Sequence, residues 1–261
     1  MTGRFGGALR VAMLMASAVV ASPAAAADIS VFSTGAPSAV LKVLAAPFTR
    51  DTGQHVEFTV ATPGELQKKL ADGAKPDVVV MPSPVIERLG KDGALLAGSR
   101  VDLARVGVGV VVREGAPVPD VSSVEAVRRL LLGAKSIVHT SPNSSGYAGK
   151  AVAQMIEQMG IADVVKPKLT IMQAIDGGVD LVAKGQAEIG MFNISEILPV
   201  KGVVLAGPLP ASVQSYIVFA AALLANTRAP EPAKVFVKLA ASPSMRDQWK
   251  AGGLEAIGGG N

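Results

Sequence analysis

The sequence predicts a two-lobed α/β fold, with mixed and mainly parallel sheets flanked by helices and joined by hinge strands. Strand-like and helix-like stretches alternate along almost the whole chain, the pattern of parallel strands joined by crossover helices. "DVVVMPS" (Asp77–Ser83) is apolar almost throughout rather than alternating, as in a sheet covered on both faces. Two apolar runs, residues 105–115 and 215–225, are longer than the others and read as strands that carry the chain between two lobes and back. One larger sheet with two long strands is the competing topology.

Residues 1–27 stand outside the fold. Arg4 and Arg10 form a basic start, "VAMLMASAVVA" is a short apolar stretch, and "SPAAAA" supplies small residues before Asp28. This is the pattern of a secretory signal peptide cleaved after Ala27, and the run is shorter than the roughly 20 residues a spanning helix needs. The expected location is the periplasm.

Each element then follows in order. "DISVFST" (Asp28–Thr34) reads as a strand, and Val40, Leu41, Leu44 and Phe48 recur at helical spacing up to Gly53. Pro47 within that helix is expected to kink or shorten it. "HVEFTVA" is a second strand. In the helix that follows, Thr62 suits the cap, Pro63 the first position, and Glu65 completes a capping box. After the strand at 77–83 and a short helix comes "RVGVGVVVREG", with glycines at 107 and 109. The helix "VSSVEAVRRLLLG", the strand "SIVHTS" and the helix "YAGKAVAQMIEQMG" come next. Then follow "KLTIMQ", the helical "AIDGGVDLVAKG", the strand "EIGMFN", the returning strand "SYIVFAAALLA" and closing helices. The lobes are expected at 28–105 with 215–261, and at 106–214.

Composition excludes several classes. Without Arg4 and Arg10, 23 basic residues face 21 acidic ones, a net of +2. With no Lys/Arg run and few aromatic residues, no nucleic-acid partner is expected. There is no cysteine, so stability must come from burial rather than disulfides. No phosphate loop, nucleophile elbow or metal-binding spacing occurs. We expect no cofactor, no metal and no catalytic residue, and a monomer. Met155 and Met159 form a core stripe, and Trp249 reads as packing.

Four strand-to-helix junctions share one composition: "STGAPS" (33–38), "ATPGE" (61–65), "TSPNSSG" (140–146) and "FNISE" (192–196). Ligands of open α/β sheets sit beyond the carboxyl ends of the strands. Helix N-termini there suit anions, and hydroxyl and amide groups add donors. Ordinary capping explains any one junction, including the Thr62…Glu65 and Asn193…Glu196 capping-box patterns. Four together favour a shared pocket, with His139 and Tyr147 as possible contacts. Asp77 reads as structural.

"ISVFSTGA", "FTRDTGQHVEF", "GELQKKLADGAKPDVVVMPS" and "LVAKGQAEIGMFN" resemble the molybdate-binding branch of the bacterial extracytoplasmic solute-binding proteins, which have the type 2 periplasmic binding fold. The resemblance implies two lobes clamping a small anionic ligand, with delivery to an inner-membrane ABC permease. It also implies ligand contacts at Thr34, Gly35, Ala36, Thr62, Pro63 and Gly64. In the second lobe it implies Ser144, Ser145, Gly146, Ile175 and Asn193. Ala36 stands where the branch has a serine and Asn193 where it has a tyrosine, which leaves a molybdate-like oxyanion and a small carboxylate both open. A sensing module without transport, or an enzyme on the same fold using His139, remain as alternatives.

Overall fold

The computed structural model describes residues 28–142, 147–173 and 177–257. The first sheet opens with β1 (Ile29–Ser33), α1 (Gly35–Thr52), β2 (Val56–Val60), α2 (Pro63–Ala71), β3 (Val78–Pro82) and α3 (Ser83–Lys91). β1 lies between β2 and β3 and is parallel to both. α1 is not shortened at Pro47 and runs on to Thr52. The carbonyl that Pro47 leaves without an amide donor belongs to Val43, an exposed residue, so water can take its place.

β4 (Val101–Arg113) is the longest strand, with 13 residues. It leads to α4 (Val124–Gly133), β5 (Ile137–Thr140), α5 (Tyr147–Gln158), α6 (Ala162–Val165) and β6 (Leu169–Met172). Next come α7 (Gly178–Ala183), β7 (Ile189–Asn193), α8 (Ile194–Ile197) and β8 (Val203–Pro208). The chain returns through β9 (Tyr216–Leu223), α9 (Pro230–Ala240), α10 (Arg246–Ala251) and β10 (Glu255–Ala256). β8 and β10 have no counterpart in the sequence reading. β8 is only half-buried and β10 has two residues, so neither carries a strong apolar signal.

The order across the strands is β2-β1-β3-β9-β4-β7-β5-β6, with β8 and β10 also on β4. Residues 101–107 of β4 pair with β9, and residues 108–113 pair with β7 and β8. One strand therefore serves two sheets. The apolar cores divide at the same place. Two clusters draw on residues 29–106 and 217–254, and two on residues 108–209.

Strand direction then fixes where the carboxyl ends point. β9 runs against both β3 and β4, so β3 runs with β4, towards the second sheet. β7 runs against β4, so its carboxyl end points back at the first sheet. β1 follows β3 and β5 follows β7. Pro82 at the end of β3 is level, through Phe219, with Ala104, and Asn193 at the end of β7 is level with Val108. The two sets of ends thus face each other about four residues of β4 apart, roughly 13 Å at 3.3 Å per residue.

Two polar devices hold this frame. The Asp77 carboxylate accepts from Ser30 N (2.9 Å), Ser30 Oγ (3.1 Å), Thr227 Oγ1 (2.7 Å), Arg228 N (3.1 Å) and Ala229 N (3.3 Å). It ties β1 to the loop before α9, at the end of the sheet away from the junctions. At the crossing, the Gln214 amide accepts from Val108 N (2.8 Å) and donates to Val108 O (2.9 Å), pairing with β4 as a strand residue would. Gly107 permits this, because a Cβ there would lie 2.9 Å from the Gln214 amide.

Candidate functional site

The junctions differ in what they leave available. At the end of β1, Thr34 precedes an 18-residue helix but makes no side-chain cap, and its buried Oγ1 has no hydrogen-bond partner. Gly35 and Ala36 occupy the first turn, where backbone N–H groups have no intrahelical acceptor, and Pro37 has no N–H at all. This end presents two backbone donors and a hydroxyl.

At the end of β2 the pattern is closed. Thr62 N and Thr62 Oγ1 both donate to Glu65 Oε2 at 2.9 Å, and Glu65 N donates back to Thr62 Oγ1 at 3.3 Å. The capping box is complete, with Pro63 and Gly64 in its first turn. Hydrogen bonds from the Thr62 backbone and hydroxyl hold the Glu65 carboxyl below its ordinary value. A carboxylate of the chain itself thus occupies the α2 terminus.

At the end of β5, His139 is 1% exposed. Its Nδ1 lies 2.7 Å from the Thr140 carbonyl oxygen, while Nε2 has no partner among the described residues. Burial pushes the ring's pKa down, and the bond to Thr140 offsets this only in part, so the ring is neutral at pH 7. Thr140 Oγ1 is also buried without a partner. Gly149 seats α5 directly against the Thr140 and Ser141 carbonyls, where any Cβ would collide with backbone. Tyr147 opens α5 with its side chain exposed.

At the end of β7, Asn193 is buried and its Nδ2 donates to Glu196 Oε1 at 2.7 Å. The expected capping box does not form here, because the amide reaches the Glu196 carboxylate directly and caps no N–H. Ser144, Ser145, Gly146 and Ile175 lie outside the described residues.

The structure therefore gathers Thr34, Gly35, Ala36, His139, Thr140 and Asn193 on strand ends that point at one another. Thr62 is committed within its own helix turn. Thr140 was not singled out in the sequence, although it stands in the same small polar run. Gln214 and Arg105 were also missed. Arg105 pairs with Glu255 at 2.7 Å and stacks 3.9 Å over the Tyr216 ring, so its charge is already met. A recess of about 510 Å³ lies elsewhere, between residues 119–122, 206–211 and Tyr216, and none of the candidate residues lines it. Among the described residues no group of three His, Asp or Glu side chains could hold a metal ion. No described helix is long and apolar enough to cross a membrane.

The family described as bacterial extracellular solute-binding protein matches residues 29–255. The chain belongs to that family. A relative from Pseudomonas sp named aconitate isomerase is 26% identical over 251 residues, 94% of each chain. The molybdate-binding protein ModA of Azotobacter vinelandii is 28% identical over 189 residues, 72% of this chain and 73% of that one. Among solved structures, the substrate-binding domain assigned to a molybdenum ABC transporter of Clostridium difficile superposes with a TM-score of 0.79. It is 15% identical and covers 89% of this chain and 100% of its own. These likenesses agree with the two-lobed fold read from the strands.

Proposed function

We propose that this protein is a periplasmic receptor of an ABC-type transporter that closes two lobes, 28–105 with 215–261 and 106–214, around a small anion. The observation that carries this reading is the α1 terminus. Gly35 and Ala36 N–H groups and the unpartnered Thr34 hydroxyl sit there on a helix dipole, opposite the unpartnered groups at the end of β5. Neutral donors bind an anion by aimed dipoles, without a cationic side chain. The family match and the molybdate-binding relative support the receptor role. The aconitate isomerase relative, similar over nearly the whole chain, favours a small carboxylate over a metal oxyanion. Residues 1–27 fit the leader that such a location needs. In this mechanism the ligand meets one set of strand ends, and bending at β4 and the Gln214 crossing brings up the other.

The test is a thermal-shift series on protein purified from the periplasm, with molybdate, tungstate, sulfate, phosphate and mono-, di- and tricarboxylates. A ligand raises Tm as RT ln(1 + [L]/Kd). A rise with carboxylates that Thr34→Val reduces supports the reading; no rise with any anion overturns it.

A second reading has one specific observation in its favour. His139 Nε2 is a buried, neutral, unpartnered base, as a proton shift within a bound carboxylate requires. Interconversion of aconitate isomers by the purified protein, lost in His139→Gln, would establish the enzyme; binding without turnover would exclude it.

A further inference from the structure

We infer that the ligand of this site carries a hydrogen of its own, as a hydroxycarboxylate or a protonated oxyanion does, and that His139 selects for it. This rests on the reading of the strand ends as a small-anion site. The Thr140 carbonyl oxygen only accepts, so at 2.7 Å the His139 Nδ1 must be the donor. The neutral ring then holds a lone pair on Nε2, and Nε2 is a pure acceptor. It is buried, and among the described residues no group donates to it.

The hydroxyls nearby do not decide between ligands. Thr34 Oγ1 and Thr140 Oγ1 each donate or accept as required. Side chains alternate along β5, so His139 shares a face with Ile137 and Thr140 shares the opposite face with Val138. Those two faces belong to separate apolar cores, one under α5 and one under α7. The end of β5 thus carries a fixed acceptor on one flank and an adaptable hydroxyl on the other. A fully deprotonated oxyanion offers acceptors alone, and its lone pairs would oppose that of Nε2. A ligand with an O–H satisfies it. Sites built to bond a ligand hydroxyl reject analogues lacking it, because the buried partner is left unpaired.

Calorimetry on the purified protein with two matched pairs tests this: malate against succinate, and hydrogen phosphate against sulfate. In parallel, imidazole nitrogen spectra follow His139, with His55→Gln assigning the signals of the only two histidines. The expected result is that the hydrogen-bearing member of a pair binds at least about 10-fold more tightly. The Nε2 resonance moves on binding, and His139→Phe abolishes the preference. Should His139→Phe fail to fold, the nitrogen spectrum of the unaltered protein decides. Equal affinity within each pair, or binding that leaves the Nε2 signal in place, overturns the selection while the anion site stands. Absence of binding by all four anions overturns the selection, and overturns the site with it where the thermal-shift panel of anions also shows no rise.

Discussion

The ends of β1 and β5 are counterparts, each being the middle strand of a parallel trio, yet they treat their polar groups in opposite ways. At the first, the polar groups are mostly used up locally. Ser33 Oγ donates to Thr34 O at 3.0 Å, and Ser38 Oγ donates to Gly35 O at 2.8 Å. One hydroxyl remains, beside two backbone N–H groups. At the second, an imidazole nitrogen and a hydroxyl are both left over. On the reading proposed above, the first end supplies attraction for negative charge in general and the second a choice among ligands. Affinity and specificity are therefore expected to separate between the lobes.

The largest effect comes from a residue that serves only the frame. Asp77→Ala takes the acceptor from Ser30 N, Ser30 Oγ, Thr227 Oγ1 and Arg228 N, and should cost about 4 kcal/mol in urea unfolding. Because Asp77 lies at the far end of the first sheet, the same variant should keep its ligand affinity wherever it remains folded. A matching fall in affinity would mean that frame and site are not separable. Gly149→Ala makes the reverse test. Its Cβ has only the Thr140 and Ser141 carbonyls to displace, so about 2–3 kcal/mol should be lost and ligand-induced stabilisation should disappear with it.

Acid should distinguish the two ends next. The His139 pKa is lowered from 6.5 by burial, so the unfolded chain takes up the proton first as pH falls. Stability is then fully present above pH 6.5 and declines below it. For Asp77, burial opposes ionisation, yet the bonds from Thr227, Ser30 and Arg228 together hold its pKa below 3.8. Its contribution is present above 3.8 and is lost only at lower pH. A Tm profile should therefore fall in two separate windows, and His139→Phe should flatten the upper one alone.

The sequence made the architecture readable because the strands of the first sheet are short apolar runs closed by strong helix signals, Thr62-Pro63-x-Glu65 the clearest. The crossing was visible in the length of β4, although its start at Val101 was hidden by Asp102 and Arg105, polar residues on an otherwise apolar strand. The site was less readable. Local pattern shows which residues can cap a helix, but not whether they do. Thr34 and Thr62 look alike in sequence; only Thr62 has a Glu three positions on to close against it. Gln214 could not be found this way, since its partner Val108 is 106 positions distant and its amide bonds to backbone, which leaves no side-chain pattern.

That difference between two threonines gives the smallest and sharpest test. Thr62→Ala removes a completed cap and should cost about 1 kcal/mol of stability, with ligand affinity unchanged. Thr34→Val removes a hydroxyl that caps nothing and has no partner, so stability should stay within about 0.5 kcal/mol or rise slightly. If that hydroxyl faces the ligand, the loss appears instead in affinity, at about fivefold to tenfold for one hydrogen bond of roughly 1 kcal/mol. Calorimetric unfolding with and without ligand separates the two quantities in each variant. The opposite pattern, Thr62 governing affinity and Thr34 stability, would move the anion from the α1 terminus to the α2 terminus, and would require Glu65 to give up its place there.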